Sequence, residues 1–149
     1  SVVLELARRY PNIVGIKDTI PDMAHTVELI QTVKGNIPSF EVLSGFDHNF
    51  ASNVLAGGDG CIAAVSNVRP DLCVAWRDAM KARDFDGTMK YQQLFNRIVG
   101  VYGFSSPFMA AMKGLLVDAG IFASATVASP YQEATSAQMF AVREFMRGF

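Results

Sequence analysis

The spacing of apolar positions changes several times along the chain, and each change predicts an element. Val2, Val3, Leu4, Leu6 and Ala7 alternate with Glu5, Arg8 and Arg9 to give one broad apolar side, a helix that Pro11-Asn12 ends. The run Ile13–Lys17 predicts a first strand. Pro21-Asp22 opens a helix with Met23, Val27, Ile30 and Val33 as its stripe and Gly35-Asn36 as its stop. Phe40–Ser44 predicts a second strand, and a short helix follows from Asp47 to Ala56, closed by Gly57-Gly58. Gly60–Val65 is almost continuously apolar, as suits a strand buried on both faces. Beyond Val65 only helical periods remain: Pro70–Arg83, Asp86–Tyr102, and Pro107–Ala119 with Ser106 as N-cap, Pro107 at the first helical position and Gly120 as stop. Thr135-Ser136-Ala137-Gln138 has the form of a capping box and starts a last helix that runs towards Phe149.

Strands alternating with helices predict parallel β–α units and an α/β fold. Three parallel strands with about seven helices leave two raw sheet edges and uncovered sheet faces. That arithmetic predicts the C-terminal half of something larger: a protein with another half upstream, a fragment, or one chain of a split protein. The ends of the strands carry the chemistry: Lys17 with Thr19, Gly45 with Asp47, and the run from Ile62 to Asn67. In an α/β barrel the site forms at that end of the strands. A lysine that ends an apolar strand is either a snorkelling cation or an amine held at a pocket. In a pocket, burial would disfavour its charge and make it nucleophilic enough to form a Schiff base.

Composition narrows the class. Apolar residues make up 50% of the chain and charged residues 18%, a globular balance. Mean hydropathy is +0.22. Lys plus Arg (13) nearly equals Asp plus Glu (14), so no basic surface is expected for nucleic acid or an anionic membrane. No apolar run reaches the ~18 residues of a membrane span. The first ten residues place their arginines after their apolar residues, the reverse of a signal peptide. Cys61 and Cys73 lack CxxC spacing and read as buried reduced thiols of a cytoplasmic protein. His25 and His48 belong to no HExxH or Cys/His cluster, so no metal site is expected.

Several segments occur in an order and spacing more specific than any one of them. They are Gly15-Ile16-Lys17-Asp18-Thr19, Ser44-Gly45-Phe46-Asp47, Leu55-Ala56-Gly57-Gly58-Asp59-Gly60 and Ile62 through Asn67-Val68, followed by Ser106-Pro107, Lys113 and Gly120. On these the sequence resembles the dihydrodipicolinate synthase / N-acetylneuraminate lyase family of pyruvate-dependent class I aldolases. The resemblance implies strands six, seven and eight of a (β/α)8 TIM barrel within residues 1–83, and the family's helical C-terminal extension over residues 84–149. It implies Lys17 as the Schiff-base lysine, Thr19, Gly45 and Asp47 as substrate-site positions, and Ile62 near bound pyruvate.

His48 is counted with the substrate-binding set, at a position where sialic acid lyases carry Glu. Ala64 stands where they carry Ser. Both departures favour a shorter sugar acid, and the Ile-Lys-Asp-Thr and Gly-Phe-Asp combination looks most like the 2-keto-3-deoxy sugar acid aldolases. The implied reaction cleaves such an acid to pyruvate and an aldehyde without metal or organic cofactor, in a homotetramer. Two other readings stand beside it: dihydrodipicolinate synthase, and an inactive half-barrel that serves as an interaction module. The family's proton-shuttle tyrosine and carboxylate-binding hydroxyls have no counterpart in this chain, so the piece alone is expected to be inactive.

Each position also has a plainer reading. Asp47 suits an N-cap of the short helix, Thr19 a cap of the Pro21 helix, and His48 a surface site. Gly57–Gly60 precedes a strand and reads as a turn, and Met109, Met112, Leu115 and Leu116 as core packing. Alternation turns Asp18 away from the barrel interior, so it receives no role.

Overall fold

The computed structural model describes residues 1–149, which pack as two compact units, Ser1–Ala64 and Val65–Phe149. In the first unit the order is α1 (Val2–Arg9), β1 (Gly15–Asp18), α2 (Met23–Lys34), β2 (Glu41–Ser44), α3 (Phe50–Leu55) and β3 (Gly60–Cys61). The three strands form one parallel sheet in the order β1-β2-β3, with Lys17 opposite Leu43 and Leu43 opposite Gly60. Parallel pairing needs a helical crossover between consecutive strands, and α2 and α3 supply them. Ala7, Leu29, Ile30, Val33, Phe40 and Val42 form the buried cluster, with Ile13, Ile16 and Ile37 packed against it. The core of this unit therefore lies between one face of the sheet and its helices. On the other face Lys17, Thr19, Glu41 and Ile62 are exposed.

The expected third strand is much shorter than Gly60–Val65. After the Ile62 amide donates to Ser44 O at 2.9 Å, β2 has already ended and offers β3 no further partner. A 3-10 turn at Val65–Asn67 follows, and the fully buried Val65 serves the core of the second unit. The helix expected from Asp47 is a 3-10 turn, Asp47–Asn49, leading into α3. Asp47 is not an N-cap: Phe46 holds that position, and the turn has no side-chain cap. Nor does Thr19 cap α2, because Asp22 accepts the Ala24 amide at 2.9 Å.

The second unit contains α4 (Pro70–Ala82), α5 (Phe85–Ile98), α6 (Phe108–Asp118) and α7 (Ser136–Met146). Trp76 of α4 stacks on Phe95 of α5 at 4.6 Å between ring centroids. Arg83 ends α4 in the left-handed region (φ 57°), and Asp84 then caps α5 by accepting the Gly87 amide. Val99–Gly103, expected as the end of α5, is a 3-10 turn. Pro107 is extended and lies outside α6, and Ser105, not Ser106, accepts an amide of that helix, from Ala111 at 3.0 Å. Met112 and Leu116 are buried, whereas Met109, expected in the core, is exposed. The Thr135–Gln138 capping box forms as the sequence predicts.

Candidate functional site at the strand ends of the first unit

Partners in a parallel ladder share a face, and alternate residues change faces. Lys17, Leu43 and Gly60 form one row of the open face. The bonds Gly45 N–H to Asp18 O (2.7 Å) and Ile62 N–H to Ser44 O (2.9 Å) extend the ladder by another row, Thr19, Gly45 and Ile62. Four of the six sequence-predicted positions thus lie on one face at the C-terminal strand ends. Lys17, Thr19 and Gly45 meet closely. A Cβ on Gly45 would stand 2.9 Å from Lys17 Cε and 2.8 Å from Thr19 Cβ, so any side chain there would push the lysine stem and Thr19 out of this arrangement. Ile62 shares the face but sits on β3, two strand spacings or roughly 10 Å from β1.

The other two positions follow in the 3-10 turn after β2. Asp47 is 3% exposed, and the half-buried His48 ring lies 5.7 Å from the Phe46 ring. The burial expected around the Lys17 amine is not a property of this unit, because Lys17 is exposed on an open sheet face.

Sequence reasoning missed the row behind the site. Asp18, Ser44 and Cys61 are register partners on the helix side, and all three are polar. Asp18 is 6% exposed, and its Oδ2 accepts the Thr26 hydroxyl at 2.7 Å and lies 3.1 Å from His25 Nδ1. Ser44 Oγ accepts the Phe46 amide at 3.1 Å, and the Cys61 thiol donates to Phe46 O at 3.3 Å. The ends of β1 and β2 are thereby tied to the helix or backbone that follows them, and the end of β3 to the turn after β2. The available signal was the alternation itself: a carboxylate turned under a helix needs donors, and Thr26 and His25 lie in the first turns of that helix.

The opposite end of the sheet is closed by structural contacts. Asp59 accepts the Val42 amide at 2.8 Å and pairs with Lys34 at 2.6 Å, and Asn53 Oδ1 accepts the Gly60 amide at 3.2 Å. Gly57 and Gly60 have φ of 95° and 147°, so the glycine-rich segment is a turn at the strand starts. Side chains of His, Cys, Asp and Glu form no group of three or more able to hold a metal ion. No helix is long and apolar enough to cross a membrane.

An amine, a hydroxyl and a close-packed glycine thus meet at the C-terminal ends of parallel strands in an α/β unit, the end at which α/β folds place their sites. The chain belongs to the dihydrodipicolinate synthetase family, whose family model matches residues 1–147. It is 38% identical over 146 residues to the Escherichia coli K12 protein named "Putative 2-dehydro-3-deoxy-D-gluconate aldolase YagE", covering 93% of this chain and 47% of that protein. It is 35% identical over 113 residues to "Probable 2-dehydro-3-deoxy-D-pentonate aldolase YjhH" of the same organism, covering 76% of this chain and 38% of the relative. Among solved structures, that of E. coli K12 YagE in complex with pyruvate superposes with a TM-score of 0.91 at 33% identity, covering 99% of this chain and 49% of the other. The chain spans about half the length, or less, of the curated relatives it matches.

Proposed function

We propose that this chain carries the nucleophile-bearing part of a class I aldolase that cleaves a 2-keto-3-deoxy sugar acid to pyruvate and an aldehyde. The observation that carries the reading is the Lys17 stem lying across Gly45 beside Thr19 at the C-terminal strand ends. The half-length coverage of relatives named as such aldolases supports it. In this reading β1, β2 and β3 are strands six, seven and eight of the barrel. The remaining strands lie outside these 149 residues, cover the open sheet face, and desolvate the amine. The complete enzyme is cytoplasmic and tetrameric.

Neutral Lys17 Nζ attacks the keto carbon, water leaves, and an iminium forms. The hydroxyl at C4 loses its proton, the C3–C4 bond breaks, and its electron pair enters the enamine. The aldehyde departs, C3 takes a proton, and water hydrolyses the pyruvate imine to free Lys17. Thr19, Asp47 and His48 contact the hydroxylated part of the substrate, and Ile62 packs near the pyruvoyl methyl. The iminium is the electron sink, so no metal or organic cofactor takes part. The proton-transfer group and the grip on the carboxylate come from the segment that completes the barrel.

The test is borohydride reduction of the complete enzyme with pyruvate, followed by peptide mass mapping. An adduct at Lys17 is expected; a complete enzyme that turns over without one overturns the mechanism. Lys17→Ala is expected to keep the fold, read by circular dichroism, and to lose turnover.

A further inference from the structure

We infer that Asp18, held by Thr26 and His25 of α2, is the positioning residue that aims Lys17 at the substrate; the inference rests on the Schiff-base reading above. Three observations meet at this residue. Its side chain is buried on the helix side of the sheet and bonded to the first turns of α2. Its carbonyl accepts the Gly45 amide at 2.7 Å. Gly45 is the residue whose missing Cβ leaves room for Lys17 Cε and Thr19. One residue therefore joins helix, neighbouring strand and lysine.

The physical need is specific. Lysine is a point charge on a flexible four-carbon stem, so its reach is set by where its root is fixed. A strand end with only two residues beyond the lysine's Cα in ladder contact can twist or slip, and a slip of one residue exchanges the two faces of a strand. Asp18 opposes that motion because its buried carboxylate cannot leave the Thr26 hydroxyl without giving up its buried donor and keeping only the half-exposed His25 ring. The backbone bond to Gly45 sets the height of β1 against β2 at the same point. His25 is the weaker tether, since its side chain is 52% exposed.

The test measures imine formation and turnover in the complete enzyme bearing Asp18→Asn, Thr26→Val, Thr26→Ser or the pair Asp18→Asn/Thr26→Val. Turnover is normalised to sites trapped by pyruvate and borohydride at saturation, so that loss of folded protein does not count. Asp18→Asn and Thr26→Val are each expected to lower kcat per trapped site roughly 10- to 100-fold, the scale of an ångström-level misplacement, with KM changed far less. Thr26→Ser, which keeps the hydroxyl, is expected to restore most of the rate. The double variant is expected to be no slower than the worse single one, because both act on one contact: Asp18→Asn removes the charge that strengthens it, and Thr26→Val removes its donor. If Asp18→Asn fails to fold, Thr26→Val and Thr26→Ser decide alone. Variants within twofold of wild type per trapped site, with wild type trapped normally at Lys17, overturn the positioning role and leave the aldolase reading intact. Absence of any wild-type adduct overturns both.

Discussion

At the scale of single residues, Gly45 is the sharpest feature of the site. A methyl group there would sit 2.9 Å from Lys17 Cε and 2.8 Å from Thr19 Cβ, closer than side chains tolerate. Gly45→Ala is therefore expected to displace the lysine and cut the rate of borohydride trapping by on the order of 10²-fold. The loss should far exceed any change in melting temperature. An unchanged trapping rate would show that the stem does not need this passage. The place of Lys17 at the end of a strand was legible from sequence, because a charge ending an apolar run is rare enough to notice. Asp18 was not, because its partners lie across a loop, seven and eight residues on, and only the fold brings them together. Asp47 misled for a related reason. An aspartate before a helix usually caps it, but here the turn is 3-10 and the residue is buried within it.

At the scale of elements, the strands and helices that read correctly are those whose local pattern agrees with their packing. Phe40, just before β2, is 2% exposed in the cluster with Val42, Ile30 and Val33, as its place in an apolar run suggests. Phe40→Ala is expected to destabilise the first unit by about 3–5 kcal/mol, measured by urea unfolding. The third strand misread because the apolar run Ile62–Val65 serves two purposes, and sequence cannot say where pairing stops. The start of that strand depends on Asn53, fully buried, whose Oδ1 takes the Gly60 amide. Asn53→Ala leaves that amide unsatisfied and is expected to cost about 1–3 kcal/mol in the same measurement.

In the second unit α6 and α7 are bound through Asp118 and Arg143, whose guanidinium donates twice, at 2.7 and 2.8 Å. The Arg143 hydrogen bonds hold the Asp118 carboxyl below its ordinary range. A carboxylate with a lowered folded-state pKa stabilises the fold above its unfolded value of about 3.9 and loses that contribution as pH falls through the folded value. Asp118→Asn is thus expected to be less stable than wild type at neutral pH, with the difference closing as pH drops below about 4. A difference that persists at low pH would assign the effect to packing instead.

At the scale of the molecule, the α/β class and the family were legible because order and spacing of motifs survive where single motifs are ambiguous. The burial expected around the Lys17 amine is not found in this chain, where Lys17 is exposed; on the proposed reading, backbone outside these 149 residues supplies it. On the proposed reading, neither turnover nor normal trapping is expected of this chain assayed by itself. Cleavage of a 2-keto-3-deoxy sugar acid at full rate by the isolated chain would show that the open face is sufficient.

The strand order β1-β2-β3 has a physical consequence of its own. β1 and β3 each have one strand neighbour in the sheet, so each presents an outward row of amide and carbonyl groups. β3 is two residues long and offers little; in β1 alternate residues bond to β2, so Gly15 and Lys17 turn their amide and carbonyl groups to the free edge. An unpaired strand edge is a template for another strand. On the proposed reading that edge is the seam where the rest of the barrel joins; in the chain by itself it is expected to pair with other copies, so light scattering of the isolated chain should grow with concentration.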